Sequence, residues 1–487
     1  MSTTAAAGSR FRATRTPAQR AAAKAARHYR NVELALLIGA AFIVGAAATI
    51  VDLNSESHIT LGLLYALGGF AVVWFIAHLA VRRWARYADP IYLPITALLN
   101  GIGVVFIHRL DLAYVDRAKQ LGESIPGPAA RQQIIWMLLG LVCFVIVLIM
   151  IKDHRVLARY SYLLGLAGLA LLAIPAVLPA SLSQVNGARI WIRLGGMSVQ
   201  PGEFAKLLLM VFFASYFVTK RDVLSIANRR FLGLPLPRAR DLGPVLLAWG
   251  ASLLVLVRES DLGTSLLFFG IFIVMLYVTT ERISWLIIGL ILFCGGAFAA
   301  YETFAHVRER ITIWLHPFQY ASGNGYQIVQ ARFGLGTGGL FGTGLGLGQP
   351  QMVPFANSDF ITSTIGEELG MFGLVAVLAL YAIIVMRGFR AGIAIRDEFG
   401  KLFATGLAFG MGFQVFIIVG GVTKLIPLTG LTTPFLSQGG SSLVANYVLI
   451  ALLLRITHTA RDPQRVLPPD PNDERPAWAA ADSGATR

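Results

Sequence analysis

Apolar residues gather along this chain in long blocks separated by short polar or basic segments. A helix that crosses a membrane needs about 20 such residues. Twelve blocks qualify, at 33–51, 60–81, 91–107, 133–151, 161–179, 203–219, 242–257, 262–279, 283–303, 362–386, 402–423 and 440–456. The seventh and eighth are short and are joined by the tight polar turn Arg258-Glu259-Ser260-Asp261. The pattern predicts an all-α polytopic membrane protein.

The polar segments orient the blocks. Cations fall in every second gap: Arg82, Arg83 and Arg86, then Lys152, Arg155 and Arg159, then Lys220, Arg221, Arg229, Arg230, Arg238 and Arg240, then Arg282 beside Glu281. They return in Arg387, Arg390, Arg396 and Lys401, whereas the first gap of the other set holds Asp52 and Glu56 and no cation. Basic loops stay in the cytoplasm, so both termini are expected there, and 304–361 becomes a large extracellular segment. The loop at 108–132 mixes both signs and orients nothing. Residues 1–31 carry seven cations and no acid. They are expected to form a disordered tail facing anionic lipid, since a membrane span follows at once and nucleic acid needs no such span. The Pro-, Ala- and Asp-rich stretch 458–487 is likewise expected to be disordered.

Composition agrees. Of 487 residues, 56% are hydrophobic and 14% charged, against about 25% charged in soluble domains. A soluble multidomain enzyme, a disordered chain and a disulfide-stapled secreted domain are excluded. Cys143 and Cys294 lie inside apolar blocks and suggest no disulfide. The net charge of +15 reflects the basic loops.

Chemistry concentrates in four segments on the expected outer face. The first, 186–206, enters the sixth span with Glu203 and Lys206, three apart on one helix face. An ionisable group there suggests function, although Lys206 pairing with Glu203 as a structural lock is equally compatible with the spacing. The second, Arg258 to Thr264, places Asp261 at the start of an apolar helix, where it either serves chemistry or simply caps the helix. The third, 304–361, has ten glycines between 323 and 348 and no evident structure of its own, the mark of a functional loop. Its Gly334, Gly336 and Gly339 fit a nucleotide-binding spacing, but no strand–helix unit flanks them. Close backbone packing is the better reading. The fourth, 424–442, breaks helix at Pro427 and Pro434 and re-enters the bilayer, which requires a cavity or burial in protein. The eight histidines show no metal-ligand spacing, and His108, His306 and His316 read as surface residues.

Four ordered motifs carry a resemblance. They are Gln200-Pro-Gly-Glu-Phe-Ala-Lys206, Asp261-Leu-Gly-Thr264, Ser358-Asp-Phe-Ile361 with Glu367-Glu-Leu-Gly370, and Pro427-Leu-Thr-Gly430 through Pro434-Phe-Leu-Ser437-Gln-Gly-Gly-Ser-Ser442. Together, from about residue 90 to 457, they resemble the SEDS family (shape, elongation, division and sporulation), and the form of the last motif is closer to its RodA branch than to FtsW. The family pattern is departed from at Glu259-Ser260, Phe355, Ile190 and Gln438. The resemblance implies a ten-span core at 90–457, with two extra spans within 32–89 as in actinobacterial members.

It also implies an activity: polymerisation of lipid II into peptidoglycan strands at the outer face of the bacterial cytoplasmic membrane. One sugar hydroxyl attacks the anomeric carbon of another disaccharide, and a polyprenyl pyrophosphate leaves with inversion. Such a step needs one carboxylate base and positive charge at the leaving group. By resemblance Asp261 is the catalytic base. Glu203, Lys206, Arg258, Arg332, Asp359, Glu368, Lys424 and Ser437 are the substrate-binding candidates, with Arg189 a further cation. A divalent cation, Mg or Mn, is compatible with the chemistry but no residue pattern assigns one. The implied partner is a class B penicillin-binding transpeptidase, alongside membrane lipids. The RodA-like form implies a role in cell elongation, with an FtsW-type division paralogue of the same chemistry as the alternative, and two other classes remain open: a transporter or precursor flippase, and a non-catalytic scaffold for the transpeptidase.

Overall fold

The structure, a computed structural model, describes residues 17–59, 61–124, 127–184, 189–194, 197–225, 229–231, 234–236, 239–258 and 261–462. Fourteen helices of eleven residues or more organise the described residues. They are α1 (Pro17–Glu56), α2 (Leu61–Trp84), α3 (Tyr92–Leu121), α4 (Ala129–Met150), α5 (Ser161–Val177), α6 (Pro201–Thr219) and α7 (Ala239–Arg258). After these come α8 (Leu262–Thr280), α9 (Ser284–Thr303), α10 (Ala305–Leu315), α11 (Tyr326–Gly338), α12 (Ile361–Ala394), α13 (Glu398–Val422) and α14 (Gly440–Arg461). Two short antiparallel hairpins, Ile192–Leu194 with Met197–Val199 and Arg229–Phe231 with Leu234–Leu236, are the strand structure among the described residues.

Ten of the helices are long and apolar enough to cross a membrane: α1 to α4, α6, α8, α9 and α12 to α14. The blocks expected at 161–179 and 242–257 are helical too, as α5 and α7. At 17 residues α5 reaches about 25 Å, short of a hydrocarbon core of about 30 Å. Apolar side chains turned outward on α9, among them Leu290, Ile291 and Phe298, mark a face suited to lipid.

Central in the bundle is α14, packed against α3, α4, α6, α12 and α13. Its Tyr447 stacks on Trp74 of α2 and donates to the Asn100 side-chain oxygen of α3 at 3.2 Å. Asn100 in turn donates to the Phe435 carbonyl. Phe435 and Leu436, inside the broken segment between α13 and α14, are fully buried. The irregular backbone expected at membrane depth is therefore enclosed by protein. Gly103 makes room for it, since a Cβ there would lie 2.6 Å from the Leu436 carbonyl oxygen.

Two expectations change. The segment 304–361 has structure of its own: α10 and α11 form an outer layer over the bundle, and α11 packs on α12. Residues 17–31, expected to be disordered, are helical as the start of α1, and 458–461 continue α14. The mixed loop at 108–132 resolves as well, because α3 runs on to Leu121 and carries Arg109 inside the protein. Residues 1–16 and 463–487 lie outside the described residues.

The glycine cluster serves close packing. A Cβ at Gly338 would lie 2.1 Å from the Gly366 carbonyl oxygen of α12, whereas one at Gly336 would meet nothing within 4 Å. Gly338→Ala is therefore expected to lower unfolding stability by about 1–3 kcal/mol through overpacking. Gly336→Ala should be neutral or stabilising by up to about 1 kcal/mol, as expected of Gly to Ala in a helix. Thermal unfolding of the two purified variants checks the contrast.

Candidate active site

Asp261 occupies the N-cap of α8, and its carboxylate accepts a hydrogen bond from the Thr264 N–H at 2.9 Å. The local motif has a packing logic. Gly263 brings the first turn of α8 against the turn at 429–431, for a Cβ there would meet Thr429 and Leu431 at 2.9 Å. That turn is made by Gly430 at φ +75°, between the helix-breaking prolines 427 and 434. The cap geometry anticipated for Asp261 is thus present, but the carboxylate also lines a cavity and is only 8% exposed.

The cavity measures about 580 Å³. Asp261, Asp359, Arg310, Glu309 and His306 supply its ionisable groups, with Trp191, Asn324 and Gln327 among the other walls. Burial raises Asp261 above the ordinary carboxylate range, opposed by the Thr264 hydrogen bond and by the positive charge of Arg310. Burial pushes Asp359 up to about 6, with Arg310 again opposing. One guanidinium therefore acts on both carboxylates.

Arg310 is held by the outer layer. Its Nη1 donates to the carbonyls of Leu428 and Thr429 at 3.4 Å each. Four residues on, Trp314 donates to the Lys424 carbonyl at 3.0 Å, and Lys424 Nζ donates to the Leu315 carbonyl at 3.3 Å. These contacts dock α10 on the segment that carries Gly430. Gln327 of α11 donates to the Pro354 carbonyl at 3.1 Å and ties the opposite wall.

Of the candidates drawn from the sequence, Asp261 and Asp359 meet in this cavity; the others with described side chains stand elsewhere. Lys206 donates to Glu203 and to the Gln414 side-chain oxygen, both at 2.8 Å, and both members of the ion pair are buried. Gln414 continues to the Thr432 carbonyl. The structural lock is the observed arrangement, and it supports the 427–434 segment from beneath. Glu368 pairs with Arg109 at 3.0 Å and accepts from the Gly346 N–H, pinning the glycine-rich loop. Ser437 accepts from the Thr433 N–H and donates to the Ser358 carbonyl, which fixes the strand of chain leading to Asp359. Lys424 serves the docking of α10, and the Arg332 guanidinium lies over the Phe318 ring at 5.4 Å. These residues shape the site and do not line it. The Arg258 side chain and residues 259–260 lie outside the described residues.

Two departures from the family pattern, Ile190 and Phe355, line the cavity themselves. Gln438 accepts from the Asn357 side-chain amide and donates its own amide to the Gln132 side-chain oxygen at 3.4 Å. His306, read from sequence as a surface residue, lines the cavity, and burial and Arg310 hold it below its ordinary value. His108 is paired with Asp52 at 2.8 Å. Arg310, Glu309, Asn324, Gln327 and Trp191 were not among the candidates. Among the described residues no group of three or more His, Cys, Asp or Glu side chains converges as a metal site.

The buried pair of α6 gives a stability test. Lys206→Ala leaves the Glu203 carboxylate uncompensated and is expected to cost about 3–5 kcal/mol. Joint replacement by Glu203→Leu and Lys206→Met should recover much of the loss, because no buried charge remains. Chemical or thermal unfolding of the single and double variants checks both.

The family model described as "Cell cycle protein", which covers FtsW, RodA and SpoVE, matches residues 91–462. Over 439 residues the chain is 54% identical to a protein of Mycobacterium tuberculosis named peptidoglycan glycosyltransferase RodA, covering 90% of this chain and 92% of that one. It is 32% identical over 377 residues to stage V sporulation protein E of Bacillus subtilis, covering 77% and 98%. A solved structure described as "Structural coordination of polymerization and crosslinking by a peptidoglycan synthase complex" superposes with TM-score 0.60 at 27% identity, covering 77% of this chain and 98% of that one. The crystal structure of the rod shape determining protein RodA of Thermus thermophilus shares the fold, at TM-score 0.52 and 24% identity over 76% of this chain and 97% of that one. With its match extending from the third helix to the last, this chain belongs to the FtsW, RodA and SpoVE family of cell cycle proteins.

Proposed function

We propose that this protein is a peptidoglycan glycosyltransferase that polymerises lipid II at the outer face of the bacterial cytoplasmic membrane, as the RodA-type enzyme of cell elongation. The observation that carries the mechanism is a single one: a buried carboxylate, Asp261, shares a cavity with Arg310. The elongation role follows the naming of relatives, 54% identical where called RodA and 32% where called FtsW.

In this reading the acceptor hydroxyl sits against Asp261. Its oxygen attacks the anomeric carbon of the donor as its proton passes to the carboxylate. The bond from that carbon to the pyrophosphate breaks, and the pyrophosphate leaves with the electron pair. One displacement converts an α donor to a β product. Arg310 opposes the charge that develops on the leaving group, the kind of fixed complementarity that lowers such barriers. Raised basicity of Asp261 through burial suits a general base. Trp191 offers a flat apolar wall for a sugar ring, and the Asn324 and Gln327 amides offer partners for its polar groups.

We further infer that all twelve apolar helices cross the membrane, α1 and α2 being additions before the shared core, with both termini in the cytoplasm. Supporting this, Asp89, Arg387 and Arg461 cluster at the last turn of α14, and the cavity lies toward its first. A transpeptidase of the class B penicillin-binding type is the proposed partner. A carrier would need its ionisable groups midway along the helices, whereas Asp261 and Asp359 stand just before α8 and α12.

Asp261→Asn separates base from cap, since asparagine caps a helix as well as aspartate. The variant is expected to insert and fold normally while polymerisation of labelled lipid II drops on the order of 10²–10⁴-fold. Glycan strands made at the normal rate would contradict the assignment. The pH profile has a definite sign. Burial raises both carboxylates, so they take up protons at higher pH than an exposed Asp at about 3.9. The acid limb of kcat/KM should accordingly lie above that value, with activity falling as the pH drops. Arg310→Ala should lower kcat on the order of 10²-fold above the acid limb, and should move that limb to higher pH, because the positive charge that opposes the rise of Asp261 is gone.

A further inference from the structure

A second cavity lies in the N-terminal region, outside the residues matched by the family. It opens where the first turns of α1 meet the end of α2 and the turn into α3, and measures about 430 Å³. Arg27, Arg30, Arg82, Arg86 and Tyr87 line it, with two alanines and no acid. Arg30 is only 1% exposed. Its guanidinium donates to Glu33 and to the Ala88 carbonyl, while its Nε has no partner among the described residues. Arg27, Arg82 and Arg86 are exposed, and no carboxylate pairs with them among the described residues. Arg86 lies over the Tyr87 ring at 5.1 Å, which orients it.

The acids nearby are already engaged. Glu33 is shared by Arg30 and His78, and Asp89 by Arg387 and Arg461. Arg27, Arg82 and Arg86 therefore bring like charge to the cavity mouth with no carboxylate of their own beside the Glu33-paired Arg30, a concentration of positive potential that attracts an anion. Planar guanidinium groups match phosphate oxygens in particular. The cavity also sits at a membrane boundary. Phe75, Leu79 and Arg82 follow one another on one face of α2, and Phe75 and Leu79 are half exposed. An apolar stripe thus runs directly into the basic pocket. Contacts of Tyr87 and Asp89 with His458 and Thr457 put the pocket beside the last turn of α14, at the end of the bundle away from Asp261.

We propose that this cavity binds the phosphate of an anionic phospholipid headgroup, with the lipid's acyl chains lying along Phe75 and Leu79. The apolar stripe favours a lipid over a soluble phosphate, because a free anion has no use for it. The same groups could also receive the chain's own acidic residues Asp470, Asp473 and Glu474, which the test distinguishes.

The full chain, purified in detergent, is titrated with phosphatidylglycerol, phosphatidylcholine or inorganic phosphate, and bound lipid is counted by native mass spectrometry beside thermal unfolding. Phosphatidylglycerol should be retained and should raise the unfolding midpoint above that in phosphatidylcholine. Arg82→Ala with Arg86→Ala should weaken phosphatidylglycerol binding roughly thirtyfold, the factor for two arginines at an anionic headgroup. Arg83→Ala with Arg159→Ala, which removes exposed cations outside the cavity, should leave binding unchanged. If the double variant does not fold, Arg86→Glu alone should give the same loss. Equal effects of the two lipids, an equal loss in the control pair, or a full shift by inorganic phosphate would each overturn the proposal. So would lipid binding that appears only after residues 463–487 are removed, since the tail would then be the occupant.

Discussion

The electrostatic relation between the Asp261 carboxylate and the Arg310 guanidinium governs the site. A carboxylate this buried loses much of its solvation, and three things compensate it: the Thr264 N–H, the N-terminus of α8 and the positive charge across the cavity. None alone is strong. Together they leave the group ionisable yet more basic than an exposed aspartate, which is what proton abstraction from a sugar hydroxyl requires. Every neighbouring element serves to hold these two groups at that relation.

The supporting elements work by close approach. Gly263 lets α8 start against the 429–431 turn, and that turn offers its carbonyls to Arg310. The Glu203–Lys206–Gln414 chain holds the same turn from below, and the Trp314 and Lys424 contacts seat α10 from above. Ser437 and Gln438 fix the backbone before Asp359. Glu368 and Arg109 anchor the glycine-rich loop at greater distance. Buried ion pairs of this kind add little net stability, because desolvation offsets the attraction between the charges.

Much of this was legible in the sequence, and the remainder was hidden for physical reasons. The apolar blocks give the helices, because membrane burial demands length and composition that nothing else imitates. Asp261 and Asp359 stand out as acids directly before apolar helices. Glu368, Lys424 and Ser437 stand out equally, since a motif marks tight packing as firmly as chemistry, and only coordinates separate the two. Lys206 shows the same ambiguity: spacing puts it beside Glu203 without saying whether substrate or carboxylate receives its charge. Arg310 was missed because α10 carries several charges in a row and nothing in the pattern selects one. Its role arises from contact with residues more than a hundred positions away. The helix α11 was hidden by glycines that read as loop, although Gly338 makes room for the backbone of α12.

The most direct measurement of the central claim is photochemical. A lipid II analogue carrying a diazirine on its first sugar is bound to the purified protein, irradiated, and the labelled peptides are mapped by mass spectrometry. Labels on Trp191, Ile313, Phe355 and their neighbours around Asp261 are the expected result. Labels confined to other surfaces, with these peptides clean, would contradict the assignment of this cavity as the place of reaction.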